Sequence, residues 1–254
     1  MKPNTLILRS AGTNCDAETA YAFELAGSTT ESLHINRLLE NPALLDRFQI
    51  LALPGGFSYG DDISAGRILA AQISLRLIDP LRRFIEAGHP VIGICNGFQV
   101  LIKTELLPAL PGQSGQTCTL THNDSHRFID RWIRVSSRSK KCVWTENLGE
   151  LELPIAHGEG KFVPASEEIR QGLHDQDQIA LTYSGGNPNG SIDDIAGICD
   201  PTGLVLGLMP HPERHVSSLQ HPAWTRLEAR DAEGPGLRLF RNAVQHASAV
   251  GSGV

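Results

Sequence analysis

The stretch VIGICNGFQ, residues 91–99, places a cysteine where an apolar run meets two nearby glycines. Gly93 and Gly97 stand two residues before and two residues after Cys95. This spacing is typical of a nucleophile elbow, in which a strand turns sharply into a helix and small neighbours relieve crowding. The turn would hold the thiol at the carboxyl edge of a parallel sheet and at the positive end of a helix, which favours the thiolate. A lone cysteine on an apolar strand is usually a small buried hydrophobe, but the paired glycines favour a nucleophile.

Strand and helix signals alternate over the first half of the chain and change character over the second. Before about residue 115, apolar runs are separated by helical segments, one at 64–88 with an interruption at Pro80; the runs are 5–9, 49–56 and 90–94. Buried strands joined by helices form parallel sheets with right-handed crossovers. Later strand-like runs follow one another through turns; they include 142–146, 178–185 and 203–211. We therefore predict an α/β fold, parallel in one half and more antiparallel in the other. It would be a single domain over residues 1–254, with a flexible tail at about 245–254.

The composition indicates a soluble globular protein of a reducing compartment. Hydrophobic residues make up 41% of the 254 positions and charged residues 20%. The formal net charge is −6, so no basic field suggests a nucleic-acid or anionic-membrane partner. Five cysteines lie scattered without C-x-x-C spacing, which argues against a disulfide framework. The apolar runs are too short for a signal sequence or a membrane span, so we expect a cytoplasmic protein.

A histidine and a glutamate far downstream of the cysteine suit a catalytic set. In GLMPHPERH, residues 207–215, an apolar strand ends in His211, Pro212 and Glu213. Residues two apart in an extended chain lie on the same face, and proline favours extended backbone in the residue before it. Glu213 would therefore reach the imidazole of His211 and fix its tautomer, as the base of a thiol nucleophile requires. On its own, the same pattern is more often a surface turn with an ion pair.

Acyl transfer also needs donors for an oxyanion. The backbone amide of Asn96, next to Cys95, is one candidate. The Pro-Gly-Gly break at 54–56 ends a neighbouring strand, and the amide of Gly56 is the second candidate, because glycine lets the backbone approach a ligand closely. A plain turn explains this break equally well on local sequence.

Several strings in the sequence resemble those of class I glutamine amidotransferases, which hydrolyse glutamine with a Cys-His-Glu triad. These strings are PGG, GICNGFQ and HPE. Longer strings are similar to the branch of that family that serves purine biosynthesis; they are LRSAGTNCD, LPGGFSYGDD, NDSHRF, IAHGEGKF and MPHPER. The sequence departs from that branch at 62–64, at 108–121 and after His215. We expect these departures to affect loops and partner surfaces and to leave the chemistry intact.

The resemblance implies a flavodoxin-like open sheet and gives roles to particular residues. Cys95 would attack the side-chain amide of L-glutamine, His211 would move the proton, and Glu213 would orient the imidazole. The amides of Gly56 and Asn96 would hold the oxyanion. The positions expected to surround the bound glutamine are Gln99, one helical turn beyond the cysteine, with Arg127, Phe128, Gly158 and Glu159.

The resemblance also implies partners. The ammonia would pass to a large ATP-dependent synthetase, joined through a small bridging subunit, that makes formylglycinamidine ribonucleotide. The chain itself would hold no metal and no cofactor, and ATP and magnesium would bind to the synthetase. The sequence contains no G-x-G-x-x-G, and its HGEGKF string lacks the first glycine and the hydroxyl residue of a P-loop.

Other interpretations stay open on the sequence alone. A zinc-dependent hydrolase would use His211 with His215, or His122 with His126, if either pair lay on a helix. A cysteine peptidase, another thiol hydrolase or another class I amidotransferase would use the same elbow. A binding subunit would keep the scaffold without catalysis, although all three catalytic residue types are present.

Overall fold

A computed structural model describes residues 2–226 and 232–250 of the chain. Within these residues the chain forms eleven strands and seven α-helices. The strands are β1 (Asn4–Arg9), β2 (Thr29–His34), β3 (Ile50–Leu53), β4 (Val91–Ile94), β5 (Cys118–Thr121), β6 (Ile129–Ser137), β7 (Glu150–His157), β8 (Lys161–Pro164), β9 (Ile179–Ser184), β10 (Ile195–Cys199) and β11 (Val205–Leu208). The helices are α1 (Asp16–Leu25), α2 (Ile35–Glu40), α3 (Arg67–Arg76), α4 (Ile78–Glu86), α5 (Asn96–Lys103), α6 (Glu167–Asp175) and α7 (Leu237–Val250).

Nine strands form one sheet in the order β2-β1-β3-β4-β11-β10-β9-β6-β7, and β5 pairs with β8 in a second, two-stranded sheet. Neighbours from β2 to β11 run parallel. Neighbours from β11 to β7 run antiparallel. The predicted α/β fold, with one parallel and one antiparallel half, is confirmed, and the two halves share a continuous sheet.

The centre of the sheet is buried on both faces. Strands β3, β4 and β11 are buried at every position. Helix α5 packs against all three strands, and α7 packs against α1 and β3. The ring of Phe23 on α1 meets the ring of Phe240 on α7 edge-on at 4.9 Å and that of Trp144 at 6.4 Å. A close-packed core of this kind holds the ends of the central strands in fixed positions.

Two predicted elements differ in the structure. The helical segment 64–88 breaks at Leu77, between α3 and α4, and Pro80 lies in the first turn of α4, where its missing N–H costs nothing. The predicted strand at 142–146 is instead a 3₁₀ turn, Val143–Thr145. The Trp144 indole N–H donates to Leu204 O at 2.8 Å, so this buried ring anchors a turn.

The predicted flexible tail is corrected over residues 245–250, which form the last turns of α7. Val244 and Ala247, one turn apart, are buried, and His246 Nε2 lies 3.0 Å from Gly88 O. The buried side chains form an apolar face that packs against the core. This packing stabilises the helix more than its intrinsic helix propensity does. Residues 251–254 lie outside the described residues. Over the described residues, none of the helices has the length and apolar character that a membrane crossing requires.

Candidate active site

The predicted site residues follow the ends of three neighbouring parallel strands, at one edge of the sheet. Strand β3 leads into the Pro-Gly-Gly break, β4 into Cys95, and β11 into His211. Leu208 at the end of β11 pairs with Ile94 at the end of β4, and the Cys95 amide donates to Leu208 O at 2.8 Å. Because adjacent parallel strands end at the same edge, side chains far apart in sequence meet there.

The glycines around Cys95 are required by close backbone packing. A Cβ on Gly97 would lie 1.9 Å from Leu53 O, and a Cβ on Gly93 would lie 2.6 Å from Gly97 O. Cys95 itself has φ +51° and ψ −103° and immediately precedes helix α5. A positive φ in a residue with a side chain is strained and persists only where the surrounding packing enforces it. The predicted elbow is therefore present, with its strain at the cysteine.

His211 and Glu213 form a buried pair. His211 Nδ1 lies 2.6 Å from Glu213 Oε1, and the two side chains are 2% and 0% exposed. Because a carboxylate accepts only, Nδ1 carries the proton, and Nε2 makes no hydrogen bond among the described residues. Pro212–His215 forms a 3₁₀ turn, so Glu213 reaches the ring through a tight turn and not through the extended chain we predicted.

Cys95 and His211 both lie close to Gly55. A Cβ built on Gly55 would lie 2.9 Å from His211 Cε1 and 3.5 Å from Cys95 Cβ. Burial alone would lower the pKa of His211, but the negative charge of Glu213 and the nearby thiol of Cys95 hold that pKa well above its usual range. The arrangement favours an imidazolium next to the sulfur, which is the state that stabilises a thiolate.

Gly56, whose amide is one of the two predicted oxyanion donors, lines the same cavity as Cys95. Its φ is +139°, and a Cβ would lie 2.7 Å from Gly12 O and 2.8 Å from Asn14 N. In the backbone bridge at this point, the Phe57 amide donates to Gly12 O and the Asn14 amide donates to Gly55 O. The Gly56 amide makes no hydrogen bond in this bridge. Only glycine fits this backbone and this space.

A cavity of about 210 Å³ opens beside Cys95. The predicted substrate residues that line it are Gln99, Phe128, Gly158 and Glu159. Arg127 is not among the residues that line this cavity, and its contact with the substrate stays a prediction. Its N–H donates to Ser125 Oγ at 3.3 Å and its carbonyl accepts from Asn123 Nδ2 at 2.9 Å, and this tight turn leaves the residue exposed.

Asp61 also lines the cavity, and we did not single it out from the sequence. Asp61 Oδ1 accepts from Asn96 Nδ2 at 2.9 Å and from Gly66 N at 3.3 Å. Asn96 Nδ2 reaches Gln99 Oε1 at 3.0 Å, and Gln99 Nε2 donates to Glu159 O at 2.6 Å. This chain of hydrogen bonds ties the loop after β3 and the loop after β7 to the start of α5. Asp61 belongs to the SYGDD string, but its role depends on a left-handed φ of +53° that the string does not reveal.

His157 is a second unforeseen residue in the cavity wall, after Asp61. Its Nδ1 lies 3.0 Å from Asn123 Oδ1, while its Nε2 is buried without a hydrogen bond among the described residues. Burial and the nearby His211 lower the pKa of His157 to about 4. It is therefore neutral at neutral pH and places no positive charge beside the cysteine.

The described residues include one group of three possible metal ligands within 4.8 Å of one another; they are Cys15, His211 and Glu213. The Arg214 guanidinium donates to Cys15 Sγ at 3.1 Å, and its positive charge opposes a cation there.

His215 Nδ1 lies 2.6 Å from Glu152 O, and His126 lies in a loop at φ +52°. Neither histidine pair of the zinc interpretation lies on an α-helix. The geometry therefore favours nucleophilic chemistry at this edge.

Known proteins share both the sequence and the architecture. The CobB/CobQ-like glutamine amidotransferase domain matches residues 2–247. The chain is 50% identical to the phosphoribosylformylglycinamidine synthase subunit PurQ of Dehalococcoides mccartyi, over 98% of this chain and 99% of the relative. It is 43% identical to the same subunit of Treponema denticola, over 85% and 89% of the two chains. A chain in the solved structure of PurLQS from Thermotoga maritima superposes with a TM-score of 0.75 and 30% identity, covering 96% and 99% of the two chains.

The family match spans nearly all of the described residues, and the relatives align over most of their own lengths. The resemblance carried by the sequence strings is thus confirmed. The chain belongs to the glutamine amidotransferase family, in the branch of the phosphoribosylformylglycinamidine synthase subunits PurQ.

Proposed function

We propose that the chain is a single-domain glutaminase that hydrolyses L-glutamine to glutamate and ammonia. The observation that carries the proposal is the meeting of Cys95, His211 and Glu213 at the carboxyl edge of β4 and β11, beside a small cavity. A thiol, an imidazole and an orienting carboxylate are the parts that acyl transfer through a covalent intermediate requires. A cavity of about 210 Å³ suits a free amino acid better than a polypeptide.

The reaction follows from the chemistry of Cys95 and His211 as nucleophile and proton carrier. The Cys95 thiolate attacks the amide carbon of the glutamine side chain, and the negative charge moves onto the amide oxygen. The His211 imidazolium then gives its proton to the amide nitrogen, the C–N bond breaks, and ammonia leaves a glutamyl thioester on the sulfur. Water attacks the thioester, His211 takes the proton of that water, and the C–S bond breaks to release glutamate. Glu213 keeps the Nδ1 proton in place throughout.

The oxyanion would be held by the amides of Gly56 and Asn96. Helix α5 begins at Asn96, so this amide belongs to the positive end of the helix. Asp61 and Gln99 both hold the Asn96 side chain, which fixes the residue after the nucleophile. Pre-positioned donors of this kind typically contribute about 3–4 kcal/mol each to lowering the barrier.

The ammonia would be handed to a synthetase. The similar chain from Thermotoga maritima was solved as part of PurLQS, which supports a complex with PurL and PurS counterparts. PurL would be the large ATP- and magnesium-dependent synthetase that makes formylglycinamidine ribonucleotide, and PurS the small bridging subunit. Ammonia that escaped to bulk water at neutral pH would be protonated and would lose its nucleophilic lone pair.

Apolar side chains at the cavity rim support the proposal that a partner protein covers the cavity. Phe57 and Phe128 line the cavity and are 47% and 55% exposed, and Ile63 in the adjoining loop is 83% exposed. Exposed apolar groups that cluster at a cavity rim are typical of an interaction surface.

The proposal is tested with Cys95→Ala in the complex reconstituted with its own synthetase and bridging subunit. Glutamine-dependent product formation should fall by at least about 1,000-fold, as removal of a nucleophile generally causes. Formation from added ammonia should stay within about twofold, because the synthetase is untouched. Cys118→Ala is the matched control, since Cys118 is also free and buried but lies on β5. Glutamine-dependent activity that survives in Cys95→Ala would contradict the proposal.

A further inference from the structure

A second thiol lies next to His211. Cys15 immediately precedes helix α1 and is 1% exposed. Its sulfur is within 4.8 Å of a nitrogen of His211 and an oxygen of Glu213. The sulfur also lies 3.1 Å from the position that a Cβ on Gly55 would occupy. His211 Cε1 and Cys95 Cβ lie close to the same position. The glutaminase mechanism above gives this thiol no role.

Cys15 is held in place by charged and polar neighbours. Its backbone N–H donates to Gly55 O at 3.2 Å, and its thiol donates to Asn14 Oδ1 at 3.2 Å. The sulfur accepts from Arg214 Nη2 at 3.1 Å, and Arg214 Nε donates to Glu18 Oε1 at 2.7 Å. With its proton directed to Asn14, the sulfur presents lone pairs to the other groups around it.

We propose that Cys15 is a positioning residue for His211, with its sulfur fixing the ring and stabilising the imidazolium. The inference rests on the proposed glutaminase function, in which His211 carries the proton between the thiol and the leaving group. A polarisable sulfur next to a buried cation is favourable, and a fixed neighbour keeps the ring from rotating away from Cys95. Burial raises the pKa of the Cys15 thiol, which keeps it protonated and out of competition as a nucleophile.

The titratable groups that face His211 come from four parts of the fold. Glu213 belongs to its own turn, Cys95 precedes α5, Cys15 precedes α1, and His157 ends β7. Of these four groups, Glu213, Cys95 and Cys15 favour the imidazolium, whereas His157 lies near enough to oppose a second positive charge. Removal of the Cys15 sulfur should therefore make the His211 proton easier to lose.

The experiment measures pH profiles of glutaminase activity in the full complex for Cys15→Ala, Cys15→Val and Cys15→Ser, with Cys118→Ala as the control. Valine keeps an apolar volume without a lone pair, and serine keeps a lone pair on a smaller atom. In the alanine and valine variants, kcat should fall by about 10- to 100-fold, the range that misplacement of a catalytic group produces, with KM within about twofold. The alkaline limb of the kcat profile should move to lower pH, and serine should restore most of both effects.

Each outcome decides the proposal. Alanine and valine variants that match Cys118→Ala in kcat and pH profile would overturn it. A loss of kcat in all three variants with an unmoved alkaline limb would also overturn it, because that pattern marks a purely structural role. Activity is read below the thermal unfolding midpoint of each variant, so that loss of fold is separated from loss of positioning. If the wild-type complex fails to hydrolyse glutamine, the proposed function fails instead.

Discussion

Alanine at Gly97 should force helix α5 away from strand β3. The new Cβ would lie 1.9 Å from Leu53 O, 2.8 Å from Leu53 C and 3.0 Å from Leu53 Cβ. The nearest atoms belong to the backbone of a buried strand and cannot swing aside. The helix would have to move by about 1.5 Å to restore ordinary contact distances in a close-packed core.

The expected cost follows from two opposing effects. Alanine in a helix interior is normally about 1 kcal/mol more favourable than glycine. Overpacking of a tight core typically costs 1–3 kcal/mol and sometimes more, and here the contact is with rigid backbone. We expect Gly97→Ala to destabilise the fold by about 3 kcal/mol or more, which corresponds to a drop in Tm of roughly 6–12 °C for a chain of this size. A shift of about 1 Å at Cys95 should also lower glutaminase activity by about 100-fold in the molecules that remain folded.

Gly172→Ala is the matched control, because Gly172 also lies inside a helix, α6. A Cβ there would lie 3.3 Å from Leu110 Cδ1, a side-chain atom that can yield slightly. We expect this variant to be neutral or up to about 1 kcal/mol more stable. Urea unfolding of both variants gives the comparison. A Gly97→Ala protein as stable as the wild type, with full activity, would refute the explanation of the elbow by backbone packing.

Three further predictions concern the cavity wall. Asp61→Ala should cost about 1–3 kcal/mol of stability by leaving the Gly66 amide and the Asn96 side chain short of an acceptor, whereas Asp61→Asn should cost less than half of that; urea unfolding measures both. The pKa of His157 falls to about 4 in the fold from an ordinary 6.5, so its contribution to stability is present above pH 6.5 and is lost as the pH falls towards 4. The loss should amount to about 3 kcal/mol, and His157→Gln should flatten the stability curve over that window; an unchanged curve would contradict the assignment. Ile63→Asp should weaken capture of the synthetase and leave isolated glutaminase turnover within about twofold, since Ile63 is exposed in the rim loop; binding titration and ammonia release are the two readouts.

Much of the site could be predicted because its signals are local. The Gly93 and Gly97 spacing around Cys95 encodes a backbone shape within five residues, and the structure has that shape. The contact between His211 and Glu213 also needs only two residues of separation, so it forms even though the turn is 3₁₀ and not extended.

Other features depend on partners that local spacing cannot reveal. Cys15 and Arg214 are in contact although they are 199 positions apart in the sequence, and no local pattern near either residue predicts the contact. Arg127 has the chemical type expected of a carboxylate ligand, but the hydrogen bonds of its turn leave it outside the cavity wall. The strand-like run 142–146 predicts a strand, whereas the buried Trp144 indole fixes a turn through a distant carbonyl.

Labelling with an electrophilic chloroketone analogue of glutamine, followed by peptide mass spectrometry, tests the central claim most directly. Reaction with the full complex should leave one covalent adduct per chain on the peptide that contains Cys95, and excess glutamine should prevent it. The neighbouring Cys15 should stay unmodified, because burial raises the pKa of its thiol. An adduct on Cys15 or on any other cysteine in place of Cys95, or labelling that glutamine does not block, would contradict the assignment of the nucleophile.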